Sequence, residues 1–355
     1  MMVNKIILLP LHGIGDVLLT TPALRNLKEK FRAQITYLHM FTATKEILDN
    51  NPYIDQNIYF PFLSKNRIDS LKFLWRLRNK FDCSINFYPS NRKDYNLAAF
   101  VINAPLRIGH RYMLDDIKEL NFLKTRTICE DAALHCVEEN LKLLGFLGIS
   151  QPMPYNLEIY LTENEKTSVY AWLEKKGINK KFIIGLHMGC GVFKNHIKRR
   201  WPLALFAKLI DKLAFELPES VFLLFGGEQE KELKDSVILE AKTKERIFAV
   251  DLSSIRQSAA VMEHCRIFIS NDSGLMHLAA ALGVKTAAIF GPTNPVWVKP
   301  WKVQYRIVRL GLPCSPCFKY SPRPLSCPAG IDYACIKDIS VEKVFTAAME
   351  LLEGN

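Results

Sequence analysis

The stretch from Cys265 to Phe290 limits what this chain can fold into more than any other. An apolar run, Cys265 to Ile269, ends in Asn271-Asp272-Ser273-Gly274; a helical segment, Leu275 to Leu282, follows, and then a second apolar run, Lys285 to Phe290. Two buried strands joined by one helix form a βαβ unit, and a crossover of that kind returns the chain parallel to itself. The turn into the helix has chemistry of its own. An Asp or Ser at a helix N-cap, with Gly behind it, leaves backbone N–H groups free and lets a ligand come close. Those N–H groups carry the positive end of the helix dipole, so the turn suits a phosphate or diphosphate at the carboxyl edge of a parallel sheet. His277, about one turn further on, is placed to add a donor to the same anion.

The same alternation runs through most of the chain, whose 355 residues are enough for two domains with separate cores. Lys5 to Leu11, Ile35 to Met40, Asn57 to Phe60 and Asp82 to Tyr88 read as strands. Helical stretches at Val17 to Phe31, Thr44 to Asn50 and Ile68 to Lys80 separate them, and Asn91 to Asn103 and Ala132 to Leu147 complete the series. Ser150-Gln-Pro-Met-Pro154 reads as a linker. A second series then begins with helix Thr162 to Lys176 and strand Phe182 to Met188, continues through helix Leu203 to Glu216 and strand Val221 to Phe225, and leads into the opening motif. The prediction is an α/β chain of two Rossmann-like domains, residues 1–155 and 156–355, with parallel sheets whose strand carboxyl ends face a cleft.

Net charge is +11. Such a surplus fits nucleic acid, an anionic membrane surface or a phosphorylated substrate. The basic runs, such as Lys194 to Arg200, carry no interleaved aromatic pattern of a nucleic-acid binder, so no nucleic-acid partner is expected. No apolar run reaches the ~18 residues of a membrane span. The short apolar run at the start lacks a cleavage site and enters a glycine loop, so it reads as a first strand and the expected location is cytoplasmic.

That loop is His12-Gly13-Ile14-Gly15-Asp16. Its glycines permit a tight turn, and Asp16 either caps the following helix or presents a carboxylate to a ligand. A dinucleotide loop needs a third glycine, but this sequence continues Gly13-Ile14-Gly15-Asp16-Val17-Leu18, and no acidic residue ends the next strand in the ribose-binding place.

Four stretches, in order, carry a family resemblance: GIGDVLLTTPAL at residues 13 to 24, KRRWP at 198 to 202, NDSGLMHLAAALG at 271 to 283 and FGPTNP at 290 to 295. With them the chain resembles the ADP-heptose:lipopolysaccharide heptosyltransferases, family nine of the glycosyltransferases, over essentially its whole length. The resemblance implies a GT-B fold of two facing Rossmann-like domains, the first binding the acceptor and the second the nucleotide sugar. It implies inverting transfer of heptose from ADP-heptose to the lipopolysaccharide inner core, on the inner face of the cytoplasmic membrane and with no cofactor needed for catalysis. The same scaffold also admits another nucleotide sugar or a protein acceptor, and a non-catalytic metal- or redox-sensing protein is the reading from a different class.

The resemblance gives Asp16 the role of general base, taking the proton of the attacking hydroxyl. Asp272 resembles the sugar-contacting aspartate, with Ser273, Gly274 and His277 on the phosphates. Thr293, His187 and Gly189 fall where the donor-binding loops lie. Where the family commonly has a lysine two residues before the tryptophan, this chain has Arg199, with Lys198 and Arg200 beside it; a cation of this loop, Arg199 or Lys198 foremost, is expected to stabilise the leaving diphosphate. Gly13, Gly15, Ser90, Arg92, Lys93, Arg107, His110 and Arg111 are expected on the acceptor side, the cations matching phosphates of a lipid A–core acceptor or an anionic membrane surface.

Of nine cysteines, five are scattered among apolar neighbours. The other four, Cys314, Cys317, Cys327 and Cys335, crowd into one C-terminal segment, with the spacing of a four-thiolate site for a structural zinc or iron. Unliganded thiols are the alternative in a reducing compartment.

Overall fold

A computed structural model describes residues 3–9, 13–320 and 323–354. The chain divides into two compact units, Met1–Tyr160 with Tyr320–Pro322, and Leu161–Lys319 with Arg323–Asn355. The first is built on six strands, β1 (Lys5–Leu8), β2 (Gln34–His39), β3 (Gln56–Tyr59), β4 (Cys83–Ile85), β5 (Leu106–Arg111) and β6 (Arg126–Cys129), in the order β3-β2-β1-β4-β5-β6. The second has β7 (Phe182–His187), β8 (Ser220–Leu224), β9 (Ile247–Ala249), β10 (Ile267–Asn271), β11 (Lys285–Ile289) and β12 (Tyr305–Val308), in the order β12-β11-β10-β7-β8-β9. Every pairing is parallel. Counted from its own first strand, each sheet has the same doubly wound order. Strand order therefore reverses between β1 and β4 in one and between β7 and β10 in the other, where such sheets leave a crevice at their carboxyl ends.

Burial follows from periodicity. The central strands are buried on both faces, as β8 is from end to end, because helices cover the sheet on each side. The helix Leu203–Glu216 buries Phe206, Leu209, Ile210 and Leu213, the spacing of one helical face, and it begins and ends where the sequence pattern predicts. Trp201, fully buried just before it, donates its indole N–H to the Ile339 carbonyl at 2.8 Å. Losing such a side chain costs about 3–5 kcal/mol.

Two expectations of the sequence reading change. The single helix predicted over Val17 to Phe31 is two, Ile14–Leu18 and Thr21–Lys30. Pro22 has no N–H to continue the ladder, and the hydroxyls of Thr20 and Thr21 donate to the Val17 and Leu18 carbonyls, both at 2.7 Å, which closes the first helix. The chain also continues the βα pattern beyond Phe290, into β12 and the helix Val341–Glu353. Both β6 and β12 are four-residue edge strands carrying an arginine, too short and polar to stand out in a sequence. Pro10, Leu11 and His12, read from the sequence as strand end and loop, lie outside the described residues.

Candidate functional site

The carboxyl ends of β7 and β10 hold most of the polar groups singled out in the sequence. Ser273 is the N-cap of the helix Gly274–Ala281, but its hydroxyl makes no capping bond. It lies 3.0 Å from Nδ1 of His187, the last residue of β7, and 3.2 Å from the Ser270 hydroxyl. The first N–H groups of that helix therefore have no side-chain acceptor from the N-cap, which leaves a donor set for an anion. Two further polar atoms here are buried and have no hydrogen-bond partner among the described residues, His277 Nδ1 and Thr293 Oγ1. Burial, modulated by Asp272 and Arg199, brings the His277 imidazole down to about 4, so at neutral pH it is an uncharged hydrogen-bonding group.

Arg199 reaches this cluster and Lys198 does not. The Arg199 guanidinium donates to Asp272 Oδ2 at 2.7 Å and lies 3.1 Å from His196 Nδ1, with both members of the ion pair largely buried. A sequence link explains the placement: Trp201 N–H donates to Asn271 Oδ1 at 3.0 Å, and Asn271 Nδ2 donates to the Met188 carbonyl at 2.8 Å. The loop before the tryptophan is thus tied to the loop after β10. Lys198, expected beside the diphosphate, instead sits 5.7 Å from the Tyr333 ring centroid; three consecutive basic residues on an irregular turn cannot all face one point.

Glu230 belongs to the site and was not singled out in the sequence. Its carboxylate accepts from His187 Nε2 at 3.0 Å, so His187 bridges Glu230 and Ser273. Burial pushes the Glu230 carboxyl up, but the His187 bond and charge and the nearby Arg200 outweigh it and hold the group below its ordinary range. Gly189, expected to contact the donor directly, makes room for this carboxylate: a Cβ there would lie 1.6 Å from Glu230 Oε1 and 2.8 Å from His187 Nε2. Gly226 has φ +148° and a Cβ on it would lie 2.7 Å from Glu230 Oε2. The Gly226-Gly227 pair after β8, with acidic residues behind it, was the available signal.

In the first unit, Asp16 is the third residue of the helix Ile14–Leu18, half-buried, and Oδ2 accepts from the Gly13 N–H at 3.3 Å. Gly13 is the exposed N-cap and Gly15 is buried. The remaining acceptor-side expectations divide. Arg92 and Lys93 open the helix Lys93–Ile102, and Arg111 ends β5, 3.5 Å from Asp116. Three expectations need correction. Arg107 stands at the amino end of β5 and donates to the Leu123 and Ala104 carbonyls, both at 2.9 Å, which makes it a brace for the chain. His110 points to the face opposite Arg111, as strand alternation requires, and is fully buried with Nε2 2.8 Å from Glu139. Ser90 is also enclosed, its N–H donating to the Tyr112 hydroxyl at 2.7 Å.

The four C-terminal cysteines come close enough for their charges to interact. Burial first, and then Cys317, Cys314 and Cys327, raise the Cys335 thiol to about 11. The Cys327 thiol is held below its ordinary value by backbone N–H groups, Tyr333 first and then Ile331, Ala329 and Gly330. Among the described residues, however, no three His, Cys, Asp or Glu side chains converge in a metal-holding group.

Two doubly wound sheets, with an uncapped helix start after β10 and a carboxylate after β1, are the architecture of the GT-B fold, which nucleotide-sugar-dependent glycosyltransferases share. The chain belongs to glycosyltransferase family 9 (heptosyltransferase), whose family model matches residues 71–325. It is 27% identical to lipooligosaccharide heptosyltransferase 2 of Campylobacter jejuni over 96% of each chain. Among solved structures it resembles a family 9 glycosyltransferase from Veillonella parvula, with a TM-score of 0.80 and 24% identity over 99% of this chain and 98% of that one. It also resembles ADP-heptose lps heptosyltransferase II of E. coli, with a TM-score of 0.73 and 20% identity over 99% of both.

Proposed function

We propose that this protein transfers heptose from ADP-heptose to a hydroxyl of the lipopolysaccharide inner core with inversion at the anomeric carbon. The supporting observation is the helix start at Ser273–Gly274, with buried, partnerless polar atoms of His277 and Thr293 at the same sheet edge. A buried polar group without a partner costs about 1–3 kcal/mol, which a bound diphosphate sugar would recover.

In the proposed mechanism the first unit takes the acceptor and the second the nucleotide sugar. Asp16 accepts the proton of the acceptor hydroxyl as its oxygen bonds to the anomeric carbon. The bond from that carbon to the diphosphate breaks, and the growing charge on the leaving oxygen meets the backbone N–H groups at Gly274 and the Arg199 guanidinium. Asp272 holds Arg199 in place and faces the sugar, while His187 fixes Glu230 and Ser273 around the nucleotide. No step is assigned to a metal, because these donors already match the leaving group. The acceptor is proposed to be a lipid A–core molecule, met at the inner face of the cytoplasmic membrane. Among the described residues no helix is long and apolar enough to cross a membrane.

The four cysteines are proposed as a structural zinc or iron site on the strength of their crowding between Cys314 and Cys335, and a metal would have to draw together side chains that do not converge among the described residues. A metal held by Cys314, Cys317, Cys327 and Cys335 would cross-link this segment and take no part in transfer. Elemental analysis of protein purified without chelator should find about one equivalent per chain, and under about a tenth with four freely titrating thiols would overturn the assignment.

The function itself is tested by incubating the pure protein with a panel of nucleotide sugars and a detergent-solubilised core acceptor. ADP release from ADP-heptose, dependent on acceptor, is expected. Release from a different nucleotide sugar alone would reassign the donor.

A further inference from the structure

The helix Arg67–Arg76 buries Leu74, and Leu77 at its C-cap is buried beside it against the first sheet, yet it leaves large apolar side chains on the opposite side. Ile68 is 67% exposed, Leu71 51% and Trp75 59%, and Leu63 in the preceding turn is 61% exposed. At about 100° per residue, Ile68, Leu71 and Trp75 fall within about 60° of arc, a continuous outward stripe. The same geometry puts Arg67 on one side of the stripe and Lys72 and Arg76 on the other, all three exposed. Lys65 and Lys80 flank the helix and are exposed as well, and the Arg78 guanidinium lies 4.6 Å from the Trp75 ring centroid. From Lys65 to Lys80 the only acidic residue is Asp69, whose carboxylate accepts from the Asn66 side chain at 3.0 Å, back at the N-cap. None of Lys65, Arg67, Lys72, Arg76 and Lys80 pairs with a carboxylate among the described residues.

An apolar stripe between two cationic edges is the pattern of a helix that lies in a bilayer interface, with side chains in the acyl boundary and cations among anionic headgroups. We propose that the Ile68–Leu71–Trp75 face seats this protein on an anionic lipid surface. The inference rests on the reading that the acceptor is lipid-anchored, and it names the contact surface. Charge decides the occupant. A second copy docking by two-fold symmetry would set these cations against themselves, whereas anionic lipid neutralises them. The cations first expected to make this contact are less suited: Arg107 is spent on backbone carbonyls, Arg111 faces Asp116, and Arg92 lies 4.0 Å from Asp94.

The experiment is sedimentation of the full chain with phosphatidylcholine vesicles, with and without about a third phosphatidylglycerol. Binding to the anionic vesicles only is expected, weakening at least about tenfold in the triple variant Ile68→Ser, Leu71→Ser, Trp75→Ser. The triple variant Arg67→Gln, Lys72→Gln, Arg76→Gln should lose the salt-sensitive part of binding. The replaced side chains are exposed, and matching thermal melts check that both variants fold. Absence of binding by the wild type, or binding that neither variant changes, overturns the proposal. So does a wild-type dimer that the serine variant converts to monomer, which would give the face to a second copy. Transfer to detergent-solubilised acceptor is measured in parallel. Wild-type transfer without wild-type vesicle binding refutes this surface alone, while absent transfer with vesicle binding intact refutes the heptosyltransferase reading alone.

Discussion

The two sheets share one strand order, but the polar groups at their carboxyl ends are built differently. At the ends of β7 and β10, His187, Ser270, Ser273 and Asp272 are buried, the first three bonded in a chain with Glu230 and Asp272 paired with Arg199. After β1, β4 and β5, Asp16 is half-buried, Lys93 and Arg111 are exposed, and the buried pair His110–Glu139 is turned into the unit's own interior. The first arrangement fixes dipoles in advance, as stabilising a leaving diphosphate requires. The second leaves long cationic side chains able to adapt to a large phosphorylated acceptor. On the proposed assignment, chemistry that must not reorganise is placed in a locked network, and recognition that must tolerate variety is left at the surface.

The sharpest way to break the comparison is Asp16→Asn. On the proposed assignment it should keep ADP affinity and lower turnover about 10²- to 10⁴-fold, the usual share of a general base. Turnover within about threefold of wild type would leave the first unit without a catalytic group.

Arg199→Gln probes the locked side. Removing one preorganised donor should reduce kcat about 10²- to 10³-fold. It also leaves Asp272 buried without its partner, so a lower melting temperature should accompany the kinetic loss. An unchanged kcat with a lowered melting temperature would make Arg199 a brace for Asp272 and nothing more.

A smaller effect is expected from Gly189→Ala, which alters no polar group. The added methyl must displace Glu230, break its bond to His187 and misplace the donor, lowering kcat/KM about 10- to 100-fold. Calorimetry with ADP should show the loss in binding. Unaltered affinity would show that the network does not hold the nucleotide.

The least effect on catalysis should come from Glu139→Gln, because that pair belongs to the interior. It should cost about 1–3 kcal/mol of stability at neutral pH and leave kcat unchanged. The pH dependence has a definite sign. Burial pushes the Glu139 carboxyl up, but the His110 hydrogen bond, the Asp131 N–H and the Lys142 charge hold it low, so its contribution is complete above its ordinary value of 4.5 and fades as pH falls through the lower folded value. Burial lowers His110 from 6.5, so its neutral form stabilises above that pH and is lost on the acid side. Both act in one direction; Glu139→Gln removes only the carboxylate's part, so the loss that wild type shows below about pH 4.5 should be smaller in the variant, while the His110 part between that pH and 6.5 persists. A pH-independent wild type, or a Glu139→Gln enzyme with impaired acceptor KM, would return His110 to the acceptor site.

Much of this protein is set by local sequence. The apolar runs at Lys5–Leu8 and Phe182–His187, the one-faced helix Leu203–Glu216 and the helix start at Ser273–Gly274 each follow from periodicity, backbone stereochemistry and turn residues that act over a few positions. Those features suffice for the fold class and for the place of the proposed anion site. Tertiary structure alone decided which side chains meet. His187 and Glu230 are 43 positions apart, Arg199 and Asp272 are 73 apart, and nothing in either neighbourhood states that the other is near. It also decided what each cation meets: Arg107 and Arg111 are four residues apart in sequence, yet one ends on backbone carbonyls and the other at the surface beside Asp116, because a strand has two ends as well as two faces. Contacts made across crossovers depend on the packing of whole sheets, and that packing is a property of the folded chain rather than of any segment.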